Sequence, residues 1–151
     1  MERGGHNSLR PARREEFGDL TRIWKAAVEA THGFVTADEI AGWEPRIASE
    51  FLPSCEVTVA PSDGGEPLGF IGVAGGSLEM LFVDPDFHGR GIGRQLVEHV
   101  QSERPGLIVE VNEDNPGAVA FYERLGFEIT GRSDLDSEGN PHPLLFMKST
   151  R

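Results

Sequence analysis

The stretch Leu78-Glu79-Met80-Leu81-Phe82-Val83-Asp84-Pro85-Asp86-Phe87-His88-Gly89-Arg90-Gly91-Ile92-Gly93-Arg94-Gln95-Leu96 decides the fold. It begins as a short apolar strand and turns at Asp84-Pro85. It then crosses a loop carrying Gly89, Gly91 and Gly93, and enters a helix whose apolar side holds Ile92, Leu96 and Val100. A strand, a glycine loop and a helix start together make an anion site. Successive backbone N–H groups and the positive end of the helix dipole act at one place, and glycines let the backbone approach closely. Arg90 and Arg94 add positive charge, so the loop is expected to hold a pyrophosphate. The dinucleotide fingerprint G-x-G-x-x-G fails in both registers, because its third glycine would fall on Arg94 or on Leu96. The G-x-x-x-x-G-K-[ST] phosphate loop is absent as well.

Outward from this stretch, Leu9 to Ala12 reads as an edge strand, since proline is tolerated there. Phe17, Leu20, Ile23, Trp24, Ala27 and Val28 recur at helical spacing between Arg14 and Thr31. Thr36-Ala37-Asp38-Glu39 is a capping box for a second helix bearing Ile40, Trp43, Ile47 and Phe51 and stopped by Pro53. Glu56–Ala60, Leu68–Ala74 and Leu78–Val83 read as three antiparallel strands. After the glycine loop the helix runs to Glu103, and the β-branched run Leu107–Val111 is a buried strand. A strand, a helical crossover and a second strand imply a parallel pair. Asn115-Pro116 caps a helix with Val119, Phe121, Tyr122 and Leu125, closed by Gly126. Phe127–Arg132 and Pro143–Lys148 are two final strands. The expected architecture is α/β (α+β), one domain over residues 1–151, with a mixed sheet flanked by helices.

The loop His88-Gly89-Arg90-Gly91-Ile92-Gly93 resembles the cofactor loop [QR]-x-x-G-x-[GA] of the GCN5-related N-acetyltransferase (GNAT) superfamily, with His88 in the place of Gln or Arg. A second motif of that family, N-x-x-N-x-x-A-x-x-F-Y-x-x-x-G-F, is matched from Asn112 to Phe127. The element order matches the family from Leu9 to Met147. More narrowly, Ala30-Thr31-His32, the V-D-P-D turn and the chain end look like the YjaB-type acetyltransferases. The resemblance implies the GNAT fold, with a centrally splayed sheet of about seven strands and about four helices. It implies acetyl-CoA as cofactor and direct acetyl transfer to a primary amine, either a small amine or a lysine-like one. The diphosphate would be held mainly by backbone amides between His88 and Arg94, and Asn115 would contact the cofactor as well as cap its helix. Tyr122, like its family counterpart, would be the general acid, and Glu79 the general base, with His32 and His142 as other candidates.

Acyl transfer needs an attacking amine, a stabilised oxyanion and a protonated leaving thiolate. Splayed parallel strands would expose backbone along Leu81-Phe82-Val83 for a pantetheine arm to pair with, and a free N–H near Leu81 or Phe82 would serve the oxyanion. A phenol of pKa about 10 stays protonated and can donate. Strand alternation gives Glu79 the facing of Leu81 and Val83, unless a bulge intervenes. The segment Ala30–Val35 is the expected wall of an acceptor cleft, with His32, Phe34 and Trp43 as the residues touching the substrate. Phe34 and Val35 alternatively plug the core.

The formal net charge of −11 disfavours nucleic acid and suits a cationic partner. No apolar run approaches the roughly 18 residues that span a membrane. With one cysteine, Cys55, and no apolar amino-terminal signal region, a cytoplasmic chain without disulfide is expected, and a homodimer is compatible. Scattered histidines and a single cysteine give no metal site. Cys55 lacks a basic neighbour, so an acyl-enzyme is disfavoured. The competing expectation is a CoA-binding regulatory module without turnover.

Overall fold

The computed structural model describes residues 8–30 and 35–151. Residues 31–34 of the expected acceptor wall, His32 and Phe34 among them, lie outside the described residues. Strand β1 (Arg10–Pro11) leads through a 3-10 turn, Arg14–Glu16, into helix α1 (Phe17–Ala30). Glu16 ties this entry together, accepting from both guanidinium nitrogens of Arg10 at 2.9 and 2.6 Å and from the Arg13 N–H at 2.9 Å. Helix α2 (Ala37–Arg46) starts at the expected capping box, with Thr36 and Glu39 each accepting the other's backbone N–H. It does not run unbroken to Phe51. Pro45 lies inside it and has no N–H to donate, and the chain rewinds into a wider π turn over Ile47–Phe51.

Strands β2 (Glu56–Pro61), β3 (Pro67–Ala74) and β4 (Ser77–Val83) follow. After them come α3 (Ile92–Glu103), β5 (Ile108–Asn112), α4 (Pro116–Arg124), β6 (Phe127–Ser133) and β7 (Leu144–Ser149). Among the described residues the seven strands form one mixed sheet in the order β1-β2-β3-β4-β5-β7-β6, which matches the expected mixed sheet of about seven strands. Helices α1 and α2 cover one face through Leu20, Ile23, Trp24 and Ile40 against Phe70, Met80 and Phe82. Helices α3 and α4 cover the other through Leu96, Val97, Val100 and Tyr122 against Ile71, Val73 and Leu78. The seat of α3 on β3 needs a glycine. A Cβ on Gly69 would lie 3.1 Å from the Phe82 carbonyl oxygen and 3.2 Å from methyls of Ile92 and Val83.

Two irregularities in the middle of this sheet create the site. The parallel pair β4–β5 is joined only at Ser77 opposite Ile108 and Leu78 opposite Val109, and beyond that the strands part. The antiparallel register β3–β4 also slips by one residue: Gly72 faces Met80 but Val73 faces Leu78, leaving Glu79 as the extra residue of a β-bulge. Leu78 therefore packs with Leu81 and Val83 on the α3 side. Glu79, against the simple alternation, turns to the side of Met80, facing α1 and α2.

Candidate active site

Helix α3 begins at Gly91, whose backbone is left-handed at φ 78° and ψ 13°, and Gly89 before it has φ 80°. A side chain is strained in either conformation, and a Cβ at either position would meet no protein atom within 4 Å. The first intrahelical bond runs from Gln95 N–H to the Gly91 carbonyl at 3.0 Å. Among the described residues no protein acceptor receives the N–H groups from Gly89 to Arg94. Consecutive unused donors at the positive end of a helix dipole, with open space in front of the glycines, are what a diphosphate requires. The charged side chains contribute less than the sequence suggests. Arg94 reaches the cleft but pairs with Glu98 at 3.2 Å, and the Arg90 guanidinium lies 5.1 Å from the Phe87 ring centroid, off the wall.

From this loop a cleft of about 920 Å³ runs into the gap between β4 and β5. His88, Gly89, Gly91, Ile92 and Gly93 form its loop end, and Leu81, Phe82 and Val83 its floor. Asn115 and Tyr122 stand on the α4 side. Along β4, Asp84 N–H donates to the Leu68 carbonyl at 2.9 Å, and the antiparallel pattern repeats every second residue, so Phe82 pairs with Phe70. The backbone groups of Leu81 and Val83 therefore face the gap, so of the two N–H groups expected for the oxyanion Leu81's is the one turned away from β3, while Phe82 stays on the cleft floor. The Val83 carbonyl has His88 Nε2 at 3.2 Å. Asn115 caps α4 by accepting Ala118 N–H at 3.1 Å.

Tyr122 is buried beneath this cleft, held edge-on between Phe121 and Phe127 at centroid distances of 5.0 and 5.2 Å. No described residue hydrogen-bonds its hydroxyl, and that oxygen is not among the orphaned buried atoms, so it opens to the cleft. Burial pushes the phenol well above its ordinary value, which keeps the proton on. Ala27, Val28 and Phe87 also line the cleft, as does Arg124 at the end of α4. The apolar stripe of α1 announced a buried face but not that part of it borders a cavity. Nothing in the motif singled out Arg124.

On the opposite side of the sheet a second cavity, about 290 Å³, brings Glu79 and Trp43 together with Trp24, Phe51 and Cys55. Asp136 and Glu138 of the β6–β7 loop close it. Asp136 holds that loop by accepting the N–H groups of Glu138 and Asn140 at 2.9 and 2.8 Å. Glu138 pairs with Arg46 at 3.2 Å, and His142 pairs with Glu39 at 2.7 Å, so the loop is tied twice to α2. His142 is thereby committed to a structural pair rather than free in the cavity. Thr36's N–H and His142 both hold the Glu39 carboxyl below its ordinary range. Burial, with the nearby Glu79 charge, pushes the Cys55 thiol up, away from a nucleophilic thiolate.

Residues 53–129 match the acetyltransferase (GNAT) domain family. The peptidyl-lysine N-acetyltransferase YjaB of Salmonella typhimurium is 45% identical over 138 residues, 91% of this chain and 94% of that protein. The solution structure of apo-form YjaB from Escherichia coli superposes with a TM-score of 0.85 at 42% identity, covering 93% of this chain and 95% of that one. PaiA N-acetyltransferase from Thermoplasma acidophilum, solved with coenzyme A, shares the fold at a TM-score of 0.77 and 17% identity, over 95% of this chain and 98% of that one. The chain belongs to the GNAT acetyltransferases. It is an N-acetyltransferase that uses acetyl-CoA.

Proposed function

We propose that this chain acetylates the ε-amine of lysine side chains, with the acceptor entering through the cavity of Glu79 and Trp43. The observation that carries the reading is the placement of the β4 bulge. It sets Glu79 on the α1–α2 face, while Tyr122 belongs to the α3–α4 face, so the two groups flank the gap between β4 and β5 from opposite sides. An amine arriving on one side and a thiolate leaving on the other need proton acceptor and donor in that order. The three carboxylates and three aromatic rings around the cavity suit an alkylammonium on an apolar stem. The names of the YjaB relatives, which act on peptidyl lysine, support the same class.

Acetyl-CoA supplies an activated acetyl thioester. The free amides from Gly89 to Arg94 bind the diphosphate end, with His88 beside them and Asn115 along the cleft. The backbone of Leu81 and Val83 aligns the pantetheine arm, and the Leu81 N–H is the donor for the oxyanion, a contribution worth about 3–4 kcal/mol in comparable sites. Glu79, directly or through water, takes the proton of the acceptor ammonium, whose pKa is about 10 when free. Tyr122 keeps its own proton at neutral pH and offers it to the departing sulfur. Cys55 takes no covalent part. We further read residues 1–151 as one cytoplasmic domain acting on amines rather than nucleic acid or lipid, and compatible with a homodimer.

The reading is tested by incubating the purified chain with acetyl-CoA and lysine-containing peptides, following thiol release and locating the added mass. Acetyl on a lysine side chain with stoichiometric thiol supports it. Transfer confined to small polyamines or to a peptide amino terminus would replace it.

A further inference from the structure

At the mouth of the second cavity the last residue of α2, Arg46, lies against three partners. Its guanidinium carbon is 4.8 Å from the Phe51 ring centroid. One guanidinium nitrogen donates to Glu138 at 3.2 Å, and its Nε lies 3.3 Å from both carboxylate oxygens of Glu50. Phe51 and Glu138 line the cavity, whereas Arg46 and Glu50 do not. A cation from outside the cavity therefore covers an aromatic face and a carboxylate that belong to its wall.

We propose that Arg46 holds the place of a basic residue of the acceptor, so that the preferred peptides carry Arg or Lys next to the acetylated lysine. This inference rests on the lysine-acceptor reading and deepens it. An incoming guanidinium or ammonium takes the space between Phe51 and Glu138, and Arg46 turns onto Glu50, which already accepts from it. The displaced arginine is not stranded: the exchange trades the Arg46–Glu138 pair and the Arg46–Phe51 contact for the same contacts with the peptide, and the Arg46–Glu50 pair stays in place. The pairs concerned are solvent-exposed, with 35% of the Arg46 and 43% of the Glu138 side-chain surface accessible, and such pairs exchange at small cost. The wall itself does not open during the exchange. Glu39 and His142, at 17–20% accessibility, tie the β6–β7 loop to the start of α2 independently of Arg46. An acidic neighbour of the lysine would instead meet Glu138, Asp136 and Glu79 together.

The experiment compares kcat/KM for peptides identical except for Arg, Gln or Glu beside the acceptor lysine. Arg over Gln should be favoured about two- to three-fold, less than the full worth of an exposed cation–π contact with an ion pair, because Arg46 gives up the same contacts in exchange. Glu138→Gln should lower that ratio, since the ion pair is lost and only the Phe51 face remains. Arg46→Ala should raise it, because the competitor is gone. Lys25→Ala removes an equal charge from the same helix pair, where Lys25 meets Glu44 at 3.2 Å, and should leave the ratio unchanged. A ratio near one in the unaltered protein, with the lysine still acetylated, overturns the place-holder and spares the lysine reading. A rise with Lys25→Ala equal to that with Arg46→Ala reduces the preference to net charge and also overturns it. Failure to acetylate lysine in any peptide overturns both.

Discussion

The cofactor cleft and the second cavity lie on two sides of the same strand, yet they are built from different materials. The anion end of the cleft is backbone: unused amides in one contiguous stretch from Gly89 to Arg94, set by two left-handed glycines and a helix start. The cavity is side chain throughout, gathered from α1, α2, the segment after it, β4 and the β6–β7 loop. A backbone site depends on local conformation, which a glycine pattern dictates, so its donors stand in place with His88 where the family has Gln or Arg. A side-chain site depends on where distant segments meet, and on which way each side chain turns.

The comparison breaks first at Tyr122. Removing its hydroxyl in Tyr122→Phe should lower kcat by about two orders of magnitude, the usual worth of a positioned proton donor. CoA affinity, measured by calorimetry, should stay within two-fold, since the proposed diphosphate site lies elsewhere. Because burial raises this phenol's pKa, its proton is retained through the alkaline range. The rate should therefore climb with pH as the acceptor amine loses its proton, with no falling limb from Tyr122 below about pH 10. Loss of CoA binding in Tyr122→Phe would mean that the donor and the anion site are not separable.

Glu79→Gln tests the other side. Turnover with lysine peptides should drop about ten- to hundred-fold with CoA affinity unchanged. Gly91→Val should do the reverse. Its Cβ meets no protein atom, so the strain is local to the backbone, about 1–2 kcal/mol, but the side chain stands in front of the donors. CoA affinity should fall about ten-fold while the KM for the acceptor, at saturating acetyl-CoA, holds.

The smallest effect on either site is expected from the scaffold. Arg10 draws the buried Glu16 carboxyl down to about 2, so its contribution to stability is present above the usual carboxylate range near 4.5 and is lost as pH falls toward 2. Glu16→Gln should cost about 2 kcal/mol at pH 7, read from urea unfolding, and flatten the pH dependence between 4.5 and 2. Turnover at permissive temperature should be unchanged.

What was legible in the sequence follows the same division. The glycine loop, the Asn115 cap, the strand β5 and the capping box at Thr36 each encode a local event, and each stands where the residues said, although β5 buries only its Val109 and Val111 face and leaves Ile108 exposed. Two things were not local, and one local signal, Pro45, was passed over. The bulge at Glu79 comes from the register of β3 against β4, so alternation along one strand gave its side chain the wrong face. Pro45 redirected the second helix into a wider turn that carries Phe51 to the cavity. Asp136 and Glu138 read only as a polar turn, because nothing along the chain announces that it folds back onto α2.

The central claim is that the backbone from Gly89 to Arg94 holds the diphosphate beside the parted strands, and amide chemical shifts read that backbone directly. Titrating CoA into the ¹⁵N-labelled chain should move the amides of Gly89–Arg94 most, with those of Leu81 and Val83 next and the β6–β7 loop nearly still. Saturable CoA binding that leaves the Gly89–Arg94 amides in place would contradict the account.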